Sequence, residues 1–525
     1  MKPYYERNDY LLNHEDNLWF EEVLWMDDDA FRQWCISLRK TVVHAWDVLG
    51  LPPRVGYTEA DIIKQFDKMG SFPVHEFEEV DHLTGKNNCI RGSTIVGNAA
   101  NQWFPTMMKT RINYTNNDDG RSIYDFFAKD ELLDKFITYA HRHFHRDSFY
   151  HYSRPITGND PKSFLFHADS AAHWVEQFES KERRYFRSDY WLCPKQLDSS
   201  YTGYTESIKD QDFLFLTNDE AESLDIPDKC KTNVSRSKDH DGYQIRYFEY
   251  GQKLFPLGLK AFRISFCQYA VNFPPLTAKY LYEKYTEHVK SEDIVIYDPS
   301  AGWGGRILGA MAVKDDRQIH YVGTDPNSDH TLPDGTTKYE ALADFYNSRT
   351  SRGNSLFPHT NTYHIFQDGS EVIGENPDFQ KYEGLVDVCF TSPPYFAKEL
   401  YSDDPGQSAT KFNTYDTWRD GFLRPTLETA VEYLKSGGYL LWNIANAKFG
   451  KDILPLEDDS RAILKDLGME YQETLFMILA QMPGGNRIDE ATGLPKTESY
   501  CKIWNAAKTQ QNFQKYEPIF CYRKP

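Results

Sequence analysis

Between residues 294 and 444 the chain repeats one pattern: a short apolar run stops on an acid, a proline pair or another polar residue, and enough chain follows for a crossover helix. The runs are 294–298, 320–325, 364–368, 386–391 and 439–444. Near-continuous apolar runs of that length belong to strands buried on both faces, and strands alternating with helices make a doubly wound parallel sheet. Two further runs, 475–480 and 518–522, are placed to close it.

Ligands of such a sheet sit at the carboxyl ends of its strands, so what ends each run matters. The first ends in Asp298-Pro299-Ser300-Ala301-Gly302-Trp303-Gly304-Gly305. Glycines there let the backbone approach a ligand, and the following helix N-terminus can complement a carboxylate. Alone, this turn would cradle a dinucleotide equally well. It is not G-x-G-x-x-G, however, and it starts after Asp-Pro, which counts against a nicotinamide oxidoreductase. The second run ends on Asp325, which can accept both hydroxyls of a ribose or simply cap a helix. The third ends in Asp368-Gly369-Ser370, where the acid can accept from an adenine amino group or hold a turn. Three acids ending three successive strands together suit an adenosyl ligand.

The fourth run ends in Thr391-Ser392-Pro393-Pro394-Tyr395-Phe396. Two prolines fix φ and restrict the residue before them, giving a stiff extended loop. Tyr395 offers a face on which an extruded base can stack, a contact of about 1–3 kcal/mol. A packed proline turn is the plain alternative. The position beside three acidic strand ends favours chemistry.

Asp298-Pro299 with its glycines, and Ser392-Pro393-Pro394-Tyr395, resemble the cofactor and catalytic motifs of the DNA amino-methyltransferases, which make N6-methyladenine or N4-methylcytosine. Residues 273–281, beginning Phe273-Pro274-Pro275, resemble that family's helix start before the cofactor loop, and 516–524 its last strand. The resemblance spans roughly 270–525. It implies S-adenosyl-L-methionine as cofactor, held by Asp298, Pro299, Ala301, Gly302, Gly304, Asp325, Asp368 and Phe273. It also implies double-stranded DNA as partner, with the target base flipped out of the helix. Ser392 and the Pro393 carbonyl would then accept hydrogen bonds from the exocyclic amine, with Pro394 and Tyr395 completing the catalytic loop. Serine before Pro-Pro-Tyr more often accompanies cytosine N4 in this family, whereas Asp or Asn usually accompanies adenine N6.

The expected architecture is α/β. A Rossmann-like methyltransferase sheet, doubly wound and mostly parallel with an antiparallel edge strand, occupies 251–525. A mostly helical domain occupies 1–250, with helical spacing of apolar residues at 29–43 and 130–139, and is the candidate for target recognition. The aromatic and basic runs 139–154 and 181–187 are its best candidates for phosphate and base contacts, although a solvated helix face explains such runs as well. His141, His143 and His145 lack the Cys or Asp pattern of a metal centre, so no metal is expected. The segment 396–408 is expected either as a flap over the target base or as a plain surface loop.

Composition sets outer limits. A formal net charge of −19 argues against a protein that coats nucleic acid non-specifically, but allows a local basic cleft. The 8 cysteines never fall at C-x-x-C spacing, which fits a reduced intracellular chain without zinc ribbons. Neither a secretory h-region nor a membrane-length apolar run is present, so a cytoplasmic, soluble protein is expected. Homo-oligomerisation stays open. The rival readings are an RNA amino-methyltransferase and a catalytically silent nucleic-acid-binding module on the same fold.

Overall fold

The computed structural model describes residues 9–144 and 270–525 apart from short interruptions, the longest being 113–119, 350–360 and 480–487, and between them 190–194, 213–217, 232–233 and 253–255. Gly56–Ile123 and Tyr269–Pro525 make up one compact unit, Asn8–Val55 and Tyr124–Gln268 the other. These units do not coincide with a division near residue 250, because Gly56–Ile123 of the first half folds with the second.

The larger unit is built on a ten-stranded sheet. Its strands in chain order are β1 (Glu78–Glu79), β2 (Cys89–Arg91), β3 (Asp293–Asp298), β4 (Gln318–Thr324), β5 (Thr362–Phe366), β6 (Val386–Thr391), β7 (Leu434–Asn443), β8 (Glu470–Ile478), β9 (Tyr500–Trp504) and β10 (Gln511–Arg523). The spatial order is β1-β2-β8-β10-β7-β6-β3-β4-β5, with β9 paired to β10 off this path. Strands β3 to β7 are mutually parallel, and β8 shares their direction because it and β7 are both antiparallel to β10. This is the α/β, Rossmann-like, mostly parallel sheet that the strand–helix alternation predicts.

The sheet has the expected antiparallel edge strand, β1, and a further antiparallel strand, β10, within it. β10 is inserted between β7 and β8, and the sheet then continues through β2, parallel to β8, to the antiparallel edge strand β1. Its residues Ile519, Phe520, Cys521 and Tyr522 are all buried, which an uncovered edge would not allow. Two very short strands from the first half thus finish that side of the sheet.

Helices cover both faces. α1 (Asp28–Asp47) and α3 (Leu133–Phe144) belong to the smaller unit; α2 (Glu59–Ser71), α4 (Pro275–Thr286), α5 (Gly305–Met311), α6 (Lys338–Arg349), α7 (Arg424–Tyr433) and α8 (Leu456–Asp466) belong to the larger. Ile294, Ile296, Val388 and Leu441 point to the face covered by α2, α4, α5 and α6. Val295, Tyr297, Cys389 and Leu440 point to the face covered by α7 and α8. The alternation along β3 and β6 follows from the two-residue period of a strand, and both faces of these strands are packed. α2 begins at a capping box in which Thr58 Oγ1 accepts from Asp61 N at 3.2 Å and Asp61 Oδ2 accepts from Thr58 N at 3.1 Å.

In the smaller unit, α1 starts on Asp27, which accepts from Ala30 N at 2.8 Å, and buries Phe31, Trp34, Leu38 and Val42. A three-stranded antiparallel sheet of Tyr190–Pro194, Phe213–Thr217 and Thr232–Asn233 accompanies its helices. Residues from 145 onward of the run 139–154, and all of 181–187, lie outside the described residues. Among the described residues no helix is long and apolar enough to cross a membrane.

Candidate active site

Register brings the strand ends to one edge. Asp298 pairs with Gly323, Thr324 with Phe366, Cys389 with Tyr297, and Thr391 with Trp442. The chain runs outward through β3, β4 and β5 and then returns to β6 and β7 on the other side of β3. The strand order therefore reverses between β3 and β6, and the loops leaving these two neighbours flank the crevice that such a reversal creates.

The loop after β3 is held from beneath. Asp298 is fully buried; its Oδ2 accepts from Arg306 Nε at 2.8 Å and from the Tyr321 phenol, and its Oδ1 from Ser300 N at 3.2 Å. Arg306 also donates to the Ser300 carbonyl and lies over the Phe273 ring. Burial works against the Arg306 cation, yet Asp298 and Tyr321 hold its pKa above the usual arginine value. Phe273 is itself buried and packs edge-on against Phe390 of β6 at 5.1 Å. Asp298 and Phe273 thus support the loop from beneath. The Pro299 carbonyl accepts from Thr324 Oγ1, and Ala301 N donates to Thr324 O at 2.9 Å, fixing the loop against the end of β4.

Gly302 and Gly304 have φ of +63° and +74°, the left-handed region that favours glycine. A Cβ on Gly304 would lie 2.5 Å from the Phe104 ring. Phe104, buried in turn against His330 and Tyr339, was not singled out by sequence reasoning, nor was its segment.

Asp325 is the centre of a polar network. Its Oδ2 accepts from Gly302 N at 3.2 Å and from Tyr339 Oη at 2.9 Å, and its Oδ1 accepts from Asn327 N at 2.9 Å. His330 lies 2.9 Å from Tyr339 Oη through Nδ1 and 2.9 Å from Thr106 Oγ1 through Nε2. Burial first, and then the Asp325 carboxylate, push the Tyr339 phenol well above its ordinary pKa, so it remains a donor. Asp325 thus holds the turn after β4 and keeps its side chain 11% exposed, whereas Asn327 caps the short helix that follows. Asp368, half-buried after β5, accepts from Gly369 N at 2.8 Å through Oδ1.

The loop after β6 is strained and braced. Phe396 has φ +53°, a conformation that costs a bulky L-residue roughly 1–2 kcal/mol. Tyr415, Trp418 and Phe449 surround its ring and hold it there. Ser392, Pro394 and Tyr395 are half-buried and Pro393 is buried. The Tyr395 phenol donates to Glu517 Oε1 at 2.7 Å and lies 3.3 Å from the Asn443 carbonyl. Burial, then Glu517, push that phenol well above its usual pKa. Thr391 Oγ1 and Asn443 Oδ1, at the ends of β6 and β7, are buried without a hydrogen-bond partner.

The following segment is tied down across the strand ends. Glu399–Leu400 pairs antiparallel with Arg111–Ile112, Tyr401 packs against Trp303 of the glycine loop, Asp404 Oδ2 accepts from Ser328 Oγ at 2.7 Å, and Lys411 pairs with Glu371 at 2.6 Å. The expectation of a flap or plain loop is thereby refined to an anchored strap. Arg306, Tyr339, His330, Asn443 and Glu517 escaped the sequence reading. Of these only Arg306 left a signal, as a lone cation opening an apolar helix.

No family model and no curated protein matches the chain. Solved structures that it resembles include a precorrin-6y C5,15-methyltransferase from Geobacter metallireducens, 12% identical, covering 49% of this chain and 90% of that one at a TM-score of 0.26. Another is a SAM-dependent O-methyltransferase from Thermotoga maritima, 13% identical, covering 64% and 94% at 0.25. A third, from Thermus thermophilus, is named a putative DNA modification methylase and is complexed with S-adenosyl-L-methionine; it is 19% identical, covering 30% and 52% at 0.19. TM-scores this low carry no argument about function, and the fold class rests on strand order and register.

Proposed function

We propose that this protein is an S-adenosyl-L-methionine-dependent methyltransferase acting on the exocyclic amine of a DNA base, cytosine N4 in preference to adenine N6. The observation that carries this reading is the reversal of strand order between β3 and β6, which makes the glycine loop and the Ser392-Pro393-Pro394-Tyr395 loop neighbours. The residues fit an adenosyl donor. Two incompletely buried carboxylates, Asp325 and Asp368, stand at adjacent strand ends, and a Cβ on Gly302 would meet nothing nearer than 3.5 Å. Asp325 would hold the ribose hydroxyls, Asp368 the adenine amino group, and the Ala301–Gly304 backbone the remainder. When bound, the cofactor supplies an electrophilic methyl group on a sulfonium.

An exocyclic amine is a poor nucleophile because its lone pair is delocalised into the ring. The Ser392 hydroxyl and the Pro393 carbonyl would accept its N–H groups and localise that pair toward the methyl group. Positioning and fixed dipoles then carry the catalysis. The face of Tyr395 would stack on a flipped base, while its hydroxyl stays anchored to Glu517. Recognition of double-stranded DNA is assigned to the first half of the chain.

Incubation with methyl-labelled cofactor and either duplex DNA or RNA, followed by digestion to nucleosides, should yield N4-methylcytosine from DNA. N6-methyladenine would move the target base; label confined to RNA, or no transfer at all, would overturn the proposal. In calorimetry, Asp325→Ala should weaken S-adenosylhomocysteine binding by about tenfold or more, since hydrogen bonds to a charged group contribute about 1.5–3 kcal/mol. Unchanged affinity in that variant would sink the ribose assignment.

A further inference from the structure

The loop after β6 is wired to a carboxylate on a distant strand. Ser392 stands three residues before Tyr395 in the same loop, and its hydroxyl favours the ionised form of the Tyr395 phenol. That phenol donates to Glu517 Oε1 at 2.7 Å. Glu517 lies in β10, opposite Met477 of β8, and the carbonyl of the next residue, Pro518, accepts from Asn443 Nδ2 at 3.0 Å. The loop that carries Ser392, the residue assigned to the target amine, is thus joined through the Tyr395 hydroxyl to an acid of the antiparallel strand.

The surroundings of Glu517 suit a group that takes up a proton. Glu399, on the strap, is a second half-buried acid whose charge acts on Glu517, and it accepts from Tyr401 Oη at 2.5 Å. Burial pushes the Glu517 carboxyl above the ordinary carboxylate range, and the Glu399 charge adds to this. Hydrogen bonds from Tyr395 and Asn443 and the nearby Lys515 pull the other way. Burial raises Glu399 as well, with Tyr401 and Lys398 opposing it. A purely structural anchor for Tyr395 would need only a neutral acceptor, and the Asn443 carbonyl already lies 3.3 Å from the phenol.

We propose that Glu517 is the terminus of a proton relay that removes the proton released by the target amine. This rests on the amino-methyltransferase reading. As the new N–C bond forms and the C–S bond breaks with its electron pair left on sulfur, an N–H bond of the amine breaks and leaves its pair on nitrogen. The proton passes to Ser392 Oγ, the Ser392 proton to Tyr395 Oη, and the Tyr395 proton to Glu517 Oε1. Both hydroxyls are regenerated, and the carboxylate becomes a neutral acid that returns its proton to solvent. Glu517 acts through Tyr395 and does not touch the base.

The sign of the pH dependence follows from the raised carboxyl. The relay needs Glu517 ionised, so turnover on DNA should fall as pH drops through a value above the ordinary carboxylate range. Glu517→Gln, which keeps an acceptor for Tyr395, should abolish this acid limb and lower turnover by about 100-fold, the lower part of the range for acid–base catalysis. Glu399→Gln removes the repulsive neighbour and should move the limb to lower pH. Infrared titration of the cofactor-free protein should show a carboxyl band, absent in Glu517→Gln, that titrates near the same pH. S-adenosylhomocysteine affinity should be kept in both variants. An acid limb that survives in Glu517→Gln, or that stays in place in Glu399→Gln, overturns the relay while wild-type methylation of DNA leaves the parent reading intact. A wild-type protein that methylates no DNA overturns both.

Discussion

An Arg306→Met variant should lose about 3–5 kcal/mol of folding stability in urea titrations, the usual cost of removing one partner of a buried ion pair. The geometry leaves little room for a smaller effect. The Asp298 side chain is 0% exposed and that of Arg306 6%, and they meet at 2.8 Å. Without the guanidinium, Asp298 keeps a buried charge with only Tyr321 and Ser300 N to hold it, and the Ser300 carbonyl loses its donor. Methionine fills much of the volume, so the loss reports charge rather than a cavity. Two corollaries separate this from simple misfolding. Adding Asp298→Asn should recover most of the stability, because the unpaired charge is gone. In the single variant the deficit should shrink as pH falls, since a buried carboxylate without its partner titrates above its unfolded value and protonation removes the penalty. A solvent-exposed pair would show a loss of only about 0–1 kcal/mol and no such pH response. The outcome bears on function, because Arg306 joins Asp298 to the loop that carries Gly302 and Gly304.

That pair also shows where sequence reading succeeds and where it stops. The sheet was legible because β3, β4 and β6 are largely buried on both faces, so their apolar runs stand out from the polar chain between them, while the edge strand β5 offers only Ile365 and Phe366. The acids that end them were legible by position, but their tasks were not: Asp298 turns inward to Arg306, while Asp325 and Asp368 keep some exposure. Phe273, read as a cofactor residue, lies beneath the loop against Phe390. β1 and β2 are too short to show any periodicity, so the contribution of the first half to the sheet left no trace in the pattern. Phe104 and Thr106 reach Gly304 and His330 only through the tertiary fold. Phe396 adopts a left-handed conformation without the glycine or asparagine that would announce it, because three aromatic rings stabilise what local preference opposes. Glu517 read simply as part of the closing strand, since its partner Tyr395 lies 122 residues away in sequence.

Ser392→Ala should lower turnover by about 100- to 1,000-fold, the range for losing one preorganised group aimed at developing charge. Thr391 before it is fully buried in β6, Pro393 after it is buried, and the two prolines fix the backbone, so the substitution deletes an oxygen from a loop that stays in place. Stability should change by no more than about 0.5–1.5 kcal/mol, the net worth of one hydrogen bond, here the link to Tyr395. S-adenosylhomocysteine affinity should be unaltered, because its contacts are assigned to the loops after β3, β4 and β5. The loss therefore belongs to the chemical step and is best read in single-turnover reactions with cofactor and DNA saturating. Ser392→Asn should retain more activity than Ser392→Ala, since an amide oxygen can still accept from the amine, although its link to the Tyr395 hydroxyl is altered. Equal rates for wild type and Ser392→Ala would mean that this oxygen never meets the reacting amine. Retained DNA binding without methyl transfer in wild type would instead mark a binding module on a methyltransferase-like sheet. The two failures differ in which protein is silent, so one set of reactions separates a misplaced residue from a misread reaction.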